Sequence, residues 1–235
     1  MLMDLSQLID LDRQLLLTLN GSPSLFLDGL VKTLTTAVTW VPLYVSLLFL
    51  VMKNNDNLKK VLLIVVCAGL CVFLAGSLND MIVKPLVERW RPSHDEQIGM
   101  AVDVVNGYRG GKYGFFSSHA ANTFSLAVFF ALLVRSRLLS VALIAWSLVN
   151  CWTRLYLGVH FPGDILCGLL WGGLVGTGVW LLHYRLNRRL SGGSNFISSQ
   201  YTSTGYALTD VDMVIVVLVA TLVYAIFRGC LYLYS

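Results

Sequence analysis

The chain has 235 residues, 56% of them hydrophobic and only 13% charged, which is about half the charge of a soluble domain. That composition excludes an ordinary soluble enzyme and a disordered chain. The formal net charge of +4 is small, and the basic residues form short clusters between apolar runs, a pattern that fits membrane topology and phosphate binding rather than a nucleic-acid surface.

In chain order, the first twenty residues carry Asp4, Asp10 and Asp12 and no basic leader. They do not read as a cleavable signal peptide. Leu5, Leu8, Ile9, Leu15 and Leu16 recur at helical spacing and predict a short amphipathic helix lying at the membrane interface. Six apolar runs follow, at 26–52, 61–83, 118–134, 138–155, 164–183 and 211–234. Each is near the roughly 20 residues that a span needs, and Pro42 is expected to kink the first. The fifth carries Gly168, Gly172, Gly173, Gly176 and Gly178, small residues that let helices approach closely in lipid, so it is expected near the bundle centre. The predicted fold is all-α: a polytopic membrane bundle of six transmembrane helices in one domain, 1–235. Residues 191–210 read as a cytoplasmic linker. Cys67, Cys71, Cys151, Cys167 and Cys230 lie in or beside apolar runs without a CxxC pair. They read as buried apolar residues, not as a disulfide frame or a metal site.

The connections 53–60, 135–137 and 183–189 are short and basic and fall on one face if the spans alternate. The positive-inside rule makes that face cytoplasmic. The opposite face carries the long 84–117 loop and the 154–163 loop, and its own basic residues ask for a chemical role. Arg91 follows Lys84 by seven residues and is itself followed by Pro92. Taken alone they are also explained as interfacial anchors. Ser117-Ser118-His119 opens the third span, where a capped helix N-terminus offers N–H groups to a phosphate. Arg154 closes the fourth span and can pair bidentately with phosphate oxygens. His160-Phe-Pro162-Gly-Asp164 opens the fifth, placing Asp164 where it can reach back to the imidazole and fix its tautomer. Each stretch alone fits an ordinary helix end. Together, on one face, they form a site that can bind a phosphate, attack it and protonate what leaves. Arg109 and Lys112 are candidates for a second phosphate or an anionic headgroup, or else are solvated loop charges. Asp80 reads as an i,i+4 partner of Lys84, and His183, at the far end of the fifth span, is expected to play no part.

Lys-(six)-Arg-Pro, Ser-x-His and Arg-(five)-His-(three)-Asp resemble the signature of the type 2 phosphatidic acid phosphatase superfamily of membrane lipid phosphatases. The resemblance implies His160 as nucleophile forming a phosphohistidine, Asp164 as its assistant and His119 as the acid for the leaving group. Lys84, Arg91, Ser117, the Ser118 backbone and Arg154 would hold the phosphate, with no cofactor and no metal. Phe116, Ser118 and Thr153 stand where the family usually has Pro, Gly and Ser; none of the three removes a reacting group. The expected partners are a phosphorylated lipid and the bilayer. Lipid A and undecaprenyl diphosphate are the leading substrates, with phosphatidylglycerophosphate behind them. A bacterial inner membrane with a periplasmic site is the expected location. Transfer to a hydroxyl acceptor and non-catalytic phospholipid binding are the competing functions. The family pattern is shared with vanadate-dependent haloperoxidases, which are soluble, and six spans argue against that relation.

Overall fold

The computed structural model describes residues 4–190 and 199–234. Eight helices organise the described residues: α1 Leu5–Leu19, α2 Leu25–Thr35, α3 Val41–Lys53, α4 Leu58–Val87, α5 Ser118–Val134, α6 Arg137–Tyr156, α7 Pro162–Leu190 and α8 Leu208–Tyr232. Four of them (α4, α6, α7 and α8) are long and apolar enough to cross a membrane. The expected first span is broken: α2 and the segment 37–53 meet at 68°. The break is at Thr36, not at Pro42. Pro42 sits in the first turn of α3, where a missing N–H costs nothing, and its ring excludes a regular helix across the carbonyl of Val38. The six expected spans are thus four full spans, one bent pair and one shorter helix. That shorter helix, α5, has 17 residues and is about 26 Å long. Its core position explains the length: ten of its residues are buried.

The glycines of α7 pack it against α5. An added Cβ at Gly168, Gly172 or Gly176 would fall 2.5–2.7 Å from the carbonyl oxygens of Ser117, Ala121 and Ser125. Backbone contact this close is possible only without a side chain. The bundle centre is therefore α5, with α7 laid along it.

Two π-helical turns, Phe73–Ser77 and Asn79–Val83, widen α4 just before Lys84 and Pro85. Pro85 has no N–H and would press on the carbonyl four residues back; the wider turn relieves that clash. Glu88, in left-handed backbone at φ 49°, then ends the helix. At the opposite end of the bundle, Lys53 pairs with Asp210 at 2.6 Å and Thr204 donates to the Val134 carbonyl at 2.7 Å. Of the expected linker, 191–198 lies outside the described residues. Tyr201 and Ala207 bridge antiparallel, and α8 has already begun at Leu208.

The N-terminal segment is helical from Leu5 to Leu19. Leu16 is buried against Ile98, Val102 and Phe161, whereas Leu8, Leu11, Leu15 and Leu19 are exposed. The helix therefore docks by one apolar position and leaves others uncovered.

Candidate active site

Five chain segments meet at one end of the bundle: the C-terminus of α4, the 88–117 loop, the N-terminus of α5, the C-terminus of α6 and the turn into α7. Residues 89–91 and 112–114 run side by side, with Arg91 N–H donating to the Lys112 carbonyl at 3.3 Å and Gly114 N–H to the Arg89 carbonyl at 2.9 Å. Extended backbone alternates its side chains, so Arg89 and Arg91 point inward together while Trp90 points out. Arg91 Nη1 donates to the Val159 carbonyl at 3.0 Å and lies 3.3 Å from His160 Nε2. A guanidinium has no acceptor, so Nε2 accepts and the ring proton sits on Nδ1. Nδ1 faces Asp164 Oδ2 at 3.5 Å.

That spacing is longer than the hydrogen bond expected from the sequence, and Nδ1 makes none. Asp164 Oδ2 instead accepts the Phe161 N–H at 3.0 Å, the acid half of a capping box at the start of α7. Its other oxygen takes a bond from Arg89 Nη1 at 2.7 Å. The helix ends are tied to each other too: Ser117 N–H donates to the Asp164 carbonyl at 3.1 Å, and Ser117 Oγ caps α5 by accepting from Ala120 N–H at 3.4 Å.

Ser118 donates its hydroxyl to Asp80 at 2.7 Å and accepts from Asn79 Nδ2 at 2.8 Å. Asp80 also pairs with Lys84 at 2.5 Å, as the i,i+4 spacing predicts. His119, one residue further into α5, is exposed. Arg154 donates to Thr35, beside the break between α2 and α3, and to the Tyr108 hydroxyl at 3.3 Å. The sequence reading missed Arg89, Asn79, Thr35 and Tyr108 as supports of the site.

Asp164, His160, Arg154 and Arg91 are 0%, 1%, 2% and 8% exposed, so several charges are held out of water. The Nε atoms of Arg91 and Arg154 are buried without a hydrogen-bond partner. Buried like charges with free donors are a costly arrangement that a bound anion relieves. Burial and the neighbouring Arg154 press Arg91 below the usual arginine value. Burial, then Arg91, Arg154, Lys84 and His119, hold the His160 imidazole well below the ordinary histidine value. That favours the neutral ring, whose Nε2 lone pair accepts from Arg91 in the absence of a phosphate.

Arg109 and Lys112 stand apart from this cluster. Arg109 donates to the Ser93 carbonyl at 2.9 Å, and the Lys112 ammonium lies over the Trp90 and Tyr113 rings at 4.8 and 4.9 Å. Both are exposed. His183 is buried edge-on to Phe129 in the far half of α7. Among the described residues, no three His, Cys, Asp or Glu side chains gather as metal ligands.

A helical membrane bundle that buries two guanidiniums beside a neutral imidazole defines a phosphate-handling multi-pass membrane protein. Comparison with known proteins narrows this. Residues 60–188 match the model of the PAP2 superfamily. A lipid A 4'-phosphatase of Bacteroides thetaiotaomicron is 43% identical over 184 residues, covering 78% of this chain and 81% of that one. A lipid A 4'-phosphatase of Porphyromonas gingivalis is 35% identical over 189 residues, covering 80% and 79%. The crystal structure of a transmembrane PAP2 type phosphatidylglycerolphosphate phosphatase from Bacillus subtilis superposes with a TM-score of 0.57 at 18% identity, over 80% of this chain and 89% of that one. The chain belongs to the PAP2 superfamily and is a phosphatase of that type.

Proposed function

We propose that this protein removes a phosphate from lipid A through a phosphohistidine on His160. One observation carries the chemistry: His160 Nε2 faces Arg91 at 3.3 Å while Nδ1 faces Asp164 at 3.5 Å. The ring is thereby turned with its basic nitrogen toward the cations that hold a phosphate. In the first step Nε2 attacks phosphorus, the bond from phosphorus to the lipid oxygen breaks, and His119, protonated when the bound phosphate offsets the charge of the cations around it, gives that oxygen its proton. In the second, water attacks the phosphohistidine, His119 takes the proton from that water, and the P–N bond breaks to release inorganic phosphate. Lys84, Arg91, Arg154 and the N–H groups at the start of α5 balance charge on the equatorial oxygens. His160 is the group that attacks, so hydrolysis and transfer to another hydroxyl differ only in which acceptor enters the second step.

The choice of lipid A over undecaprenyl diphosphate rests on the two relatives named lipid A 4'-phosphatase. The bisphosphorylated glucosamine headgroup is large and anionic, and Arg109 and Lys112 at the rim suit it. The basic connections at the opposite end of the bundle support a location of the site on the periplasmic face of the inner membrane.

A phosphate-release assay with purified protein and EDTA tests this on lipid A, undecaprenyl diphosphate and phosphatidylglycerophosphate. Lipid A is expected to lose one phosphate with the highest kcat/KM, and the product to keep the other. Preference for either of the other lipids would overturn the substrate assignment. Loss of all activity in EDTA, restored by a divalent ion, would overturn the metal-free chemistry.

A further inference from the structure

Asp164 is fully buried, and a buried carboxylate needs a cation held against it. His160 does not fill that place, because its Nε2 faces the Arg91 donor and its Nδ1, 3.5 Å from Asp164, makes no hydrogen bond. Arg89 fills the place. Its guanidinium is held on three sides: Nη1 meets Asp164 Oδ1 at 2.7 Å, Nη2 meets Asp12 Oδ2 at 2.6 Å, and its plane lies 4.3 Å from the Phe161 ring centre. Asp12 belongs to α1, and its second oxygen accepts the N–H of Gly163 at 2.7 Å, in the first turn of α7. The same helix is fastened to the site loop by Arg13, which meets Asp95 at 3.0 Å and Gln97 at 2.7 Å. Asn20, just past its end, bonds to the carbonyls of Asp103 and Tyr156 at 3.0 and 2.8 Å. Asp12 lies outside residues 60–188, the stretch that matches the family model.

We propose that Asp12 and Arg89 are positioning residues that complete a four-membered chain, Asp12–Arg89–Asp164–His160, and so make the N-terminal helix α1 part of the active site. The proposal rests on His160 acting as the nucleophile. Arg89 keeps Asp164 ionised and turned so that Oδ2 remains on the Nδ1 side of His160. Asp12 fixes the fork of Arg89, which otherwise has a long side chain free to leave for the phosphate or for water. The site then has two classes of arginine. Arg91 and Arg154 are held by uncharged groups and keep buried Nε donors without a partner, whereas Arg89 has both terminal nitrogens engaged by carboxylates. A residue that acts behind Asp164 should affect the chemical step and leave binding alone.

Full-length H160A, R89Q, R89K, D12N and D12N/R89Q are compared with wild type by steady-state phosphate release, using the lipid of the panel above on which the wild type has the highest kcat/KM. D12N keeps an oxygen to accept from Gly163 and replaces the charged acceptor facing Arg89 by an amide NH2, which cannot accept from the guanidinium. R89Q is expected to lower kcat roughly 10–100-fold, with KM within about twofold of wild type. D12N is expected to lower kcat on the order of tenfold. R89K should recover part of the loss, because a lysine keeps the charge without the fork. In the R89Q background, D12N should add nothing, since Asp12 acts through Arg89. Wild-type kcat in both R89Q and D12N alongside an inactive H160A overturns the proposal while leaving the nucleophile assignment standing. A raised KM at unchanged kcat in R89Q also overturns it, by making Arg89 a phosphate ligand. So do losses that multiply in the double variant. An active H160A refutes the nucleophile assignment itself and takes the chain with it. Should R89Q not yield a folded protein, D12N and R89K carry the test through the same kcat-against-KM split.

Discussion

The reactivity of the site is decided by where each charge is compensated. Lys84 has Asp80, and Asp164 has Arg89, but Arg91 and Arg154 face each other's field with buried Nε donors left over. That imbalance suits a phosphate, which brings negative charge and acceptor oxygens together. It also sets the state of His160, whose imidazolium form is disfavoured by burial and by the three cations around it. A depressed value means that the ring stays neutral as the pH falls through 6.5, where an ordinary histidine becomes charged. The acid limb of kcat/KM is therefore expected below pH 6.5, and a profile already half lost at that pH would show that His160 is not so shielded. Some of this was legible beforehand. The spacing of Lys84, Arg91, Ser117, His119, Arg154, His160 and Asp164 was enough to suggest phosphate chemistry. Arg89 was hidden because it looked like one more loop cation. Its signal was the Arg-Trp-Arg alternation before Pro92, which places residues 89 and 91 on the same side of an extended segment. Thr35 and Tyr108, the partners of Arg154, are 119 and 46 residues away, and no local pattern reveals them.

At the level of helices, the precision of the site depends on the fit between α5 and α7, because Ser117 and Asp164 stand at their adjoining ends. The glycine run in α7 could be read directly as a packing face, and its use follows from distance. An alanine Cβ at Gly172 would fall 2.5 Å from the Ala121 carbonyl, which is backbone and cannot turn aside, whereas Gly178 has nothing within 4 Å. Gly172→Ala is expected to destabilise the protein by about 1–3 kcal/mol and to lower its thermal midpoint in detergent. Gly178→Ala should leave the midpoint unchanged or raise it slightly, since alanine is the better helix former. Equal midpoints for the two variants would contradict this packing. The broken first span shows the limit of periodicity. The run 26–52 is apolar throughout, so hydropathy could not mark the break at Thr36. Pro42 signalled an irregularity, but its effect falls toward its N-terminal side, where its ring excludes helical geometry. That displaced break is useful to the site, because it presents Thr35 to Arg154.

Across the whole molecule, the bundle segregates chemistry from anchoring. One end holds Lys53, Asn54 and Asp210 in a closed polar cluster. The other end collects Lys84, Arg91 and Arg154, two histidines and the docked α1. The family match covers nearly all of α4 to α7 with the turns between them, the stretch that supplies Lys84, His119, Arg154 and His160, while α1 adds Asp12 from outside it. The central claim is that His160 attacks phosphorus and carries it covalently. The most direct test is rapid acid-free quenching of the enzyme with lipid A labelled at its phosphates, followed by location of the label. Wild-type protein is expected to carry acid-labile label on His160 during turnover, and H160A to carry none and to release no phosphate. Phosphate release by H160A at the wild-type rate would contradict the account.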